Sequence, residues 1–571
     1  MTQYIICVGK FLLKALLLIR GDDAGKAGKI LFTGKEVFPL SPRPSLSFKK
    51  SGETFLFAFT CPCREQNLVE KSIVMDIIDC HIHAEVSANY MQGISRLIAR
   101  MQNHGISKAV ISDLGNWQEF PDEETLVSAN ERVRRAAMAS DGRLEYLVYI
   151  NPQLEDWRKI FDRFIEDSCG VKLWISLRSK EHGLERSKEV LRLAAERDKA
   201  VLIHTFDRTQ PTLPGEIGIA EIIELAEAAP DCRIVAAHAG GNWRKTMTMA
   251  KEIPQNVVFD ISGGYPERTF IKRFIEIFGS SRVLYGSDAF FRSFGSQLSK
   301  LDNCGLSESD KERILCANAM RIFKIPQAKA VDAAKLPVWS IPSNNVDNFC
   351  FVGKGRYWDH HVTCDMLVEA ALKNHVDVLH AASLGALCSE NFIAENLRFS
   401  DECARYFQIK PLAAVDLRDL EQSLSQLEKI SGFAGVLISP CLHNYRLDYQ
   451  QKNSFFDACS RNNIPVWINT ALGDDRFRNP ELHTHNVSVE EIVEFVRSAP
   501  LCRYTFQGCP ADIRIYRELP AHCSAECSRV SDFEYAPDEL FSSGYAGKLC
   551  FGSEYPFREY SSVRDVLCGR V

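Results

Sequence analysis

The chain has 571 residues, too many for one ordinary core, and divides naturally into two domains of about 250 residues each. With 46% hydrophobic and 25% charged residues it has a globular composition, and a net charge of −6 gives no reason to expect nucleic acid or an anionic membrane as partner. Its 20 cysteines are spread through strand-like and helix-like segments rather than set at disulfide or zinc-site spacings, which fits a reducing cytoplasm.

Residues 1–74 begin with an apolar run, 5–19, interrupted by Lys10 and Lys14. It is too short and too charged to span a bilayer. Residues 20–74 show little periodicity, so 1–74 are expected to be a poorly structured extension ahead of Met75. From Met75 eight short apolar runs follow, at 76–83, 109–113, 144–150, 170–175, 201–205, 233–239, 257–262 and 282–288. Segments of helical spacing separate them, as at 219–229, where apolar residues recur at i, i+3 and i+4. Eight strands alternating with helices predict a (β/α)8 TIM barrel over 75–328.

A proline-rich linker is expected at 329–343, and 344–571 echo the first half. Gly170-Val-Lys-Leu-Trp174 returns as Gly435-Val-Leu-Ile-Ser439, Val201-Leu-Ile-His-Thr205 as Val466-Trp-Ile-Asn-Thr470, and Val283-Leu-Tyr-Gly-Ser-Asp288 as Leu549-Cys-Phe-Gly-Ser-Glu554. An offset held at roughly 265 residues argues for tandem duplication. The fold class expected is therefore α/β, two TIM barrels in tandem with the second diverged.

The chemistry is concentrated at the ends of the first set of runs. His81 and His83, two apart on a strand, present two imidazoles to one point. His204 ends the fifth run and is the third candidate ligand. Asp288 closes the eighth run and is the fourth; otherwise it caps the next helix. Three nitrogens and one carboxylate with a position left for water describe a catalytic metal site, zinc by default, with manganese or iron(II) also compatible. His238 ends the sixth run and suits general acid/base work, or is a further ligand. Lys172 is read as binding a substrate carboxylate, bridging a second metal once carboxylated, or simply satisfied inside the barrel. Asn242, Trp243, Asp207 and Trp117 fall where substrate loops belong. His483-Thr-His485 reads as a solvated turn, and Asp359-His-His361, near a barrel mouth of the second half, as a surface segment in preference to a site for something small. In the second half Asn469 stands for His204, Gln507-Gly508 for His238, and of the ligand set only an acid, Glu554, survives. A lone carboxylate does not hold such an ion, so the second barrel is expected to be inert.

Asp79-Cys-His-Ile-His83, Gly170-Val-Lys-Leu173, Ile203-His204, Ala236-Ala-His-Ala-Gly-Gly241, Asn256-Val-Val-Phe-Asp-Ile-Ser262, Leu284-Tyr-Gly-Ser-Asp288 and Asn318-Ala-Met-Arg-Ile-Phe323, in this order, resemble the amidohydrolase-related (amidohydrolase 2) family of the metal-dependent hydrolase superfamily. The resemblance covers 75–325, and the second half resembles a degenerate copy. It implies a mononuclear site in which His81, His83, His204 and Asp288 bind the metal and His238 transfers protons. It also implies one of two reactions: metal-activated water attacking an amide, lactone or ester carbonyl of a small molecule, or metal-dependent decarboxylation of an aromatic or unsaturated acid. Hydrolysis is favoured because residues 84–90 pass quickly into a helix and Ala289 replaces the proline common after the acid. From another class, an inactive metal-stabilised binding protein is the remaining alternative. Oligomerisation is left open.

Overall fold

The computed structural model describes residues 45–51, 54–60 and 76–567, apart from 86–88, 116–119, 176–179, 210–215, 302–303, 328–344 and 480. Trp117 and the linker expected at 329–343 lie outside the described residues.

Strands β1 (Ser45–Ser51) and β2 (Thr54–Thr60) pair antiparallel, with Ser51 opposite Thr54. The hairpin lies within the stretch expected to be poorly structured. Thr-Phe-Leu-Phe-Ala-Phe-Thr places an aromatic ring at every second position, a strand period that the surrounding lysines and prolines hide.

The second unit, residues 73–571, is built on two sheets of parallel strands. The first takes β3 (Ile77–His83), β4 (Ile106–Ser112), β5 (Leu144–Ile150), β6 (Gly170–Leu173), β7 (Ala200–Ile203), β8 (Ile234–Ala236), β9 (Val257–Asp260) and β10 (Val283–Leu284) in sequential order. Hydrogen bonds from Cys80 N to Tyr285 O (3.0 Å) and from Asp288 N to His81 O (2.8 Å) join its last strand to its first and close a barrel. Sequential parallel order follows from the helices between strands, since each crossover must carry the chain back across the sheet. Inside, Leu202, Val258 and Leu284 pack in one apolar cluster with Phe323. A pleat puts side chains two residues apart on one face, so the next layer up from Leu202 and Val258 is His204 and Asp260. The apolar floor therefore aims the polar residues at the C-terminal mouth.

The second sheet holds β11 (Val346–Lys354), β13 (Val378–Ser383), β14 (Ile409–Val415), β15 (Gly435–Ile438), β16 (Val466–Asn469), β17 (Tyr504–Gln507), β18 (Ser524–Glu526) and β19 (Leu549–Cys550), again parallel and sequential. A short strand, β12 (His361–Val362), adds antiparallel to β11. Bonds from Asn348 N to Phe551 O (2.9 Å) and from Phe351 N to Tyr555 O (2.8 Å) close this sheet as the first is closed.

Details recur between the two barrels. Asp79 Oδ1 accepts from His81 N (3.1 Å) and Ser287 N (3.0 Å); Asp347 Oδ1 accepts from Phe349 N (2.9 Å) and Ser553 N (3.0 Å). Asn130 Oδ1 accepts from Tyr149 N (2.8 Å), and Asn396 Oδ1 from Ala414 N (3.0 Å). Among the described residues, no helix is long and apolar enough to cross a membrane.

Candidate metal centre

The β3 pleat brings His81 Nε2 and His83 Nε2 to 3.1 Å, and Asp288 Oδ1 lies 3.3 Å from the second and 4.0 Å from the first. Ligands held about 2.1 Å from a tetrahedral ion are themselves about 3.4 Å apart. The three atoms therefore fit one divalent cation. Each imidazole is fixed from behind. His81 Nδ1 donates to Asp260 Oδ2 at 2.9 Å, and His83 Nδ1 lies 2.9 Å from Ser112 Oγ. These partners turn both Nε2 atoms toward the shared point.

Asp288 and His238 lie just past their strands in the left-handed region, at φ of 66° and 59°. The chain turns sharply there, and the side chains point inward instead of continuing the pleat. His238 Nδ1 donates to Ser262 Oγ (2.9 Å), which in turn donates to Asp260 Oδ1 (2.5 Å). Asp260 Oδ1 also accepts from His238 N at 3.0 Å. One carboxylate thus organises both a candidate ligand and the candidate base. Gly263 allows this closeness, because a Cβ there would meet His238 Nδ1 at 2.3 Å.

His204 stands apart from the group of three. Its Nδ1 lies 3.3 Å from His238 Nε2, and its Nε2 lies 3.8 Å from Glu216 Oε1. Lys172 Nζ lies 2.8 Å from His81 Nε2, so the amine faces the imidazoles from inside the barrel. Asn242 caps the helix Trp243–Thr248 by accepting from Lys245 N at 3.3 Å, and it lines the cavity above the site. Asp207 is engaged elsewhere, paired to Lys245 Nζ at 2.6 Å.

Burial sets the charges. It drives the His83 imidazole down to about 3 and lowers His204 and His238 as well, so their nitrogens are neutral at physiological pH. Burial opposes ionisation of Asp288, but the hydrogen bond with His83 and the neighbouring imidazoles of His238 and His81 outweigh it and hold the carboxyl ionised. For Asp260 burial is likewise outweighed, by His81 first and by Ser262 after it. The Lys172 ammonium is pushed down to about 8 by burial.

Asp260, Ser262, Ser112, Glu216 and Phe206 were not singled out in the sequence. Only Asp260, an acid ending the apolar run Val-Val-Phe-Asp, left a signal there. His360 corrects an expectation. It is buried, not on the surface, and it lines the cavity of about 520 Å³ that His238 and Ser262 also line. Its short antiparallel neighbour β12 folds it inward.

In the second barrel Phe349 and Phe351 occupy the strand that corresponds to β3. Glu554 keeps the left-handed backbone, at φ of 55°, yet its Oε2 accepts from Arg558 Nε (2.5 Å) and its Oε1 from Arg529 (3.2 Å). Guanidinium groups neutralise the acid there. Among the described residues, groups of three candidate ligands occur in the first barrel alone.

Residues 78–325 match the family model described as Amidohydrolase. No curated protein matches the chain. Similar solved structures include 5-carboxyvanillate decarboxylase of Sphingomonas paucimobilis, at 15% identity and a TM-score of 0.35, covering 44% of this chain and 100% of that one. A dihydroxybenzoic acid decarboxylase of a Polaromonas species, with bound manganese, is 17% identical at a TM-score of 0.36, covering 44% and 98%. A probable 2-pyrone-4,6-dicarboxylic acid hydrolase of Acinetobacter baumannii is 13% identical at a TM-score of 0.31, covering 44% and 100%. The stretch that matches the amidohydrolase family model, residues 78–325, is the first barrel.

Proposed function

We propose that the first barrel is a metal-dependent hydrolase that directs water at an amide, lactone or ester carbonyl of a small molecule. The observation that carries this is the convergence of His81 Nε2, His83 Nε2 and Asp288 Oδ1 beside His238. These three, with His204 as the fourth candidate, would hold one divalent ion, zinc first and manganese or iron(II) next. Bound there, the ion supplies Lewis acidity at the substrate oxygen.

The chain's own groups do the rest. Ser262 holds His238 Nδ1–H, which leaves the Nε2 lone pair, 3.3 Å from His204 Nδ1, to take a proton from water and return it to the leaving group. Asp288, ionised and partly exposed, orients that water. Lys172 and Asn242 are the candidate substrate contacts. Hydrolysis in 18O-labelled water, against a panel of lactones, amides, esters and aromatic acids, is the test. Label in the product supports hydrolysis. Carbon dioxide released without label assigns the chain to the carboxy-lyases instead.

We further infer that the second barrel is a degenerate copy of the first. The recurring hydrogen bonds of Asp79 and Asp347, and of Asn130 and Asn396, support this at an offset of roughly 265 residues. A cytoplasmic location is supported by sixteen free cysteines among the described residues.

A further inference from the structure

The mouth of the first barrel is bounded partly by the second. The segment 473–479, which follows β16, crosses toward the segment that follows β7. Thr209 fastens the two together: its N donates to Arg476 O at 3.1 Å and its Oγ1 to Arg478 O at 2.6 Å. Phe477 then stacks on Phe206 with centroids 5.6 Å apart and planes 23° from parallel. Phe206 in turn stands edge-on to His238 at 5.7 Å and stacked beside His204 at 6.3 Å. Arg476 lies 4.5 Å over the same ring and donates to Gly263 O at 3.3 Å, on the loop that carries Ser262. The cavity shared with His238 and Ser262 is lined also by Phe477, Trp358 and His360, all from the second barrel.

These contacts are more than a seam. A surface that only joined two domains would seal against its partner, whereas this one leaves a cavity of about 520 Å³, within the range of small-molecule sites. Aromatic rings such as Trp243, Trp358 and Phe477 line it together with charged groups such as Arg244, Glu267 and Asp474. Phe477 reaches His238 through a single intervening ring, so its bulk sets the space above the candidate base.

We propose that the second barrel acts as a specificity wall, with Phe477 as the residue that limits the size of the group admitted to the metal centre. The proposal rests on the assignment of His81, His83 and Asp288 as that centre. Phe477 is a positioning residue, acting through Phe206 and through space left open rather than on reacting atoms.

The test uses the full chain loaded with zinc. Two chelators remove the ion: pyridine-2,6-dicarboxylate, and the same molecule carrying a 4-phenyl group, each at concentrations where the rate is proportional to chelator. Phe477→Ala should speed extraction by the larger chelator about tenfold while changing the smaller less, and Phe477→Trp should slow the larger. Phe477→Leu, which keeps apolar bulk, should fall between Phe477→Ala and the parent and guards against a folding defect in the alanine variant. For any substrate found, the ratio of kcat/KM between bulky and small analogues should move in the same direction. Both chelator rates within about twofold of the parent in all three variants, at unchanged zinc content, overturn the proposal. A chain that takes up no zinc overturns the underlying centre first, which separates the two failures.

Discussion

Asp260 Oδ2 lies 2.9 Å from His81 Nδ1, and through Oδ1 the same carboxylate accepts from the backbone N of His238 at 3.0 Å. The fixed carboxylate sets the imidazole tautomer, leaving Nε2 of His81 as the free lone pair. Asp260→Asn weakens that orientation and is expected to reduce metal affinity about 10–100-fold. Competition with a chromogenic chelator measures it, and an unchanged affinity would show that Asp260 only satisfies buried backbone.

His238 is the candidate proton carrier, with its Nδ1 2.9 Å from Ser262 Oγ and its Nε2 3.3 Å from His204 Nδ1. His238→Asn is expected to lower kcat by about 10²–10⁴ while the metal content stays that of the parent. Loss of the metal together with the activity would reassign His238 as a ligand.

Lys300 is buried beneath the cavity, its Nζ donating to Ile261 O at 2.6 Å, with no carboxylate ion pair among the described residues. Burial first, and the charge of Arg292 after it, push its ammonium down from 10.5 to about 7. Between those values the unfolded chain holds a proton here that the folded chain lacks. Stability contributed by this group therefore rises with pH across the window, by up to about 1.4 kcal/mol per pH unit, and its penalty is complete below pH 7. Lys300→Met removes the effect. Urea unfolding at pH 6.5, 8 and 9.5 should show the variant's stability relative to the parent greatest at the lowest pH and declining upward (about these values). A difference constant across the series contradicts this.

In the second barrel Arg558 bridges Glu554 (2.5 Å) and Asp532 (2.7 Å), all three buried. Arg558→Met leaves buried Asp532 without its cation and Glu554 with Arg529 alone, and should cost about 3–5 kcal/mol. The triple change Arg558→Met, Glu554→Gln, Asp532→Asn should recover part of that loss. Denaturant midpoints decide it, and a neutral single variant would show these acids find other partners.

Much of this was legible in the sequence. The eight runs named the strands because buried parallel strands are nearly continuous in apolar residues, and β5 coincides with its run at Leu144–Ile150. Runs ending in His238 and Asp288 overshot, since β8 stops at Ala236 and β10 at Leu284. Periodicity does not register the left-handed turns that follow. The pair His81 and His83 was readable from a spacing of two, whereas Ser112 and Ser262 were not, because a serine that bonds an imidazole from a distant strand looks like any other. His360 and Phe477 were invisible for a similar reason. Their role depends on where a second barrel lies against the first, and no local pattern encodes that.

If His81, His83 and Asp288 converge on one divalent ion, metal stoichiometry reports it. Elemental analysis of the purified full chain, dialysed against trace metal, should give one zinc, manganese or iron per molecule. The His81→Ala, His83→Ala double variant should give none while keeping the parent's circular dichroism. Metal retained in that variant, or absent from the parent, contradicts the account.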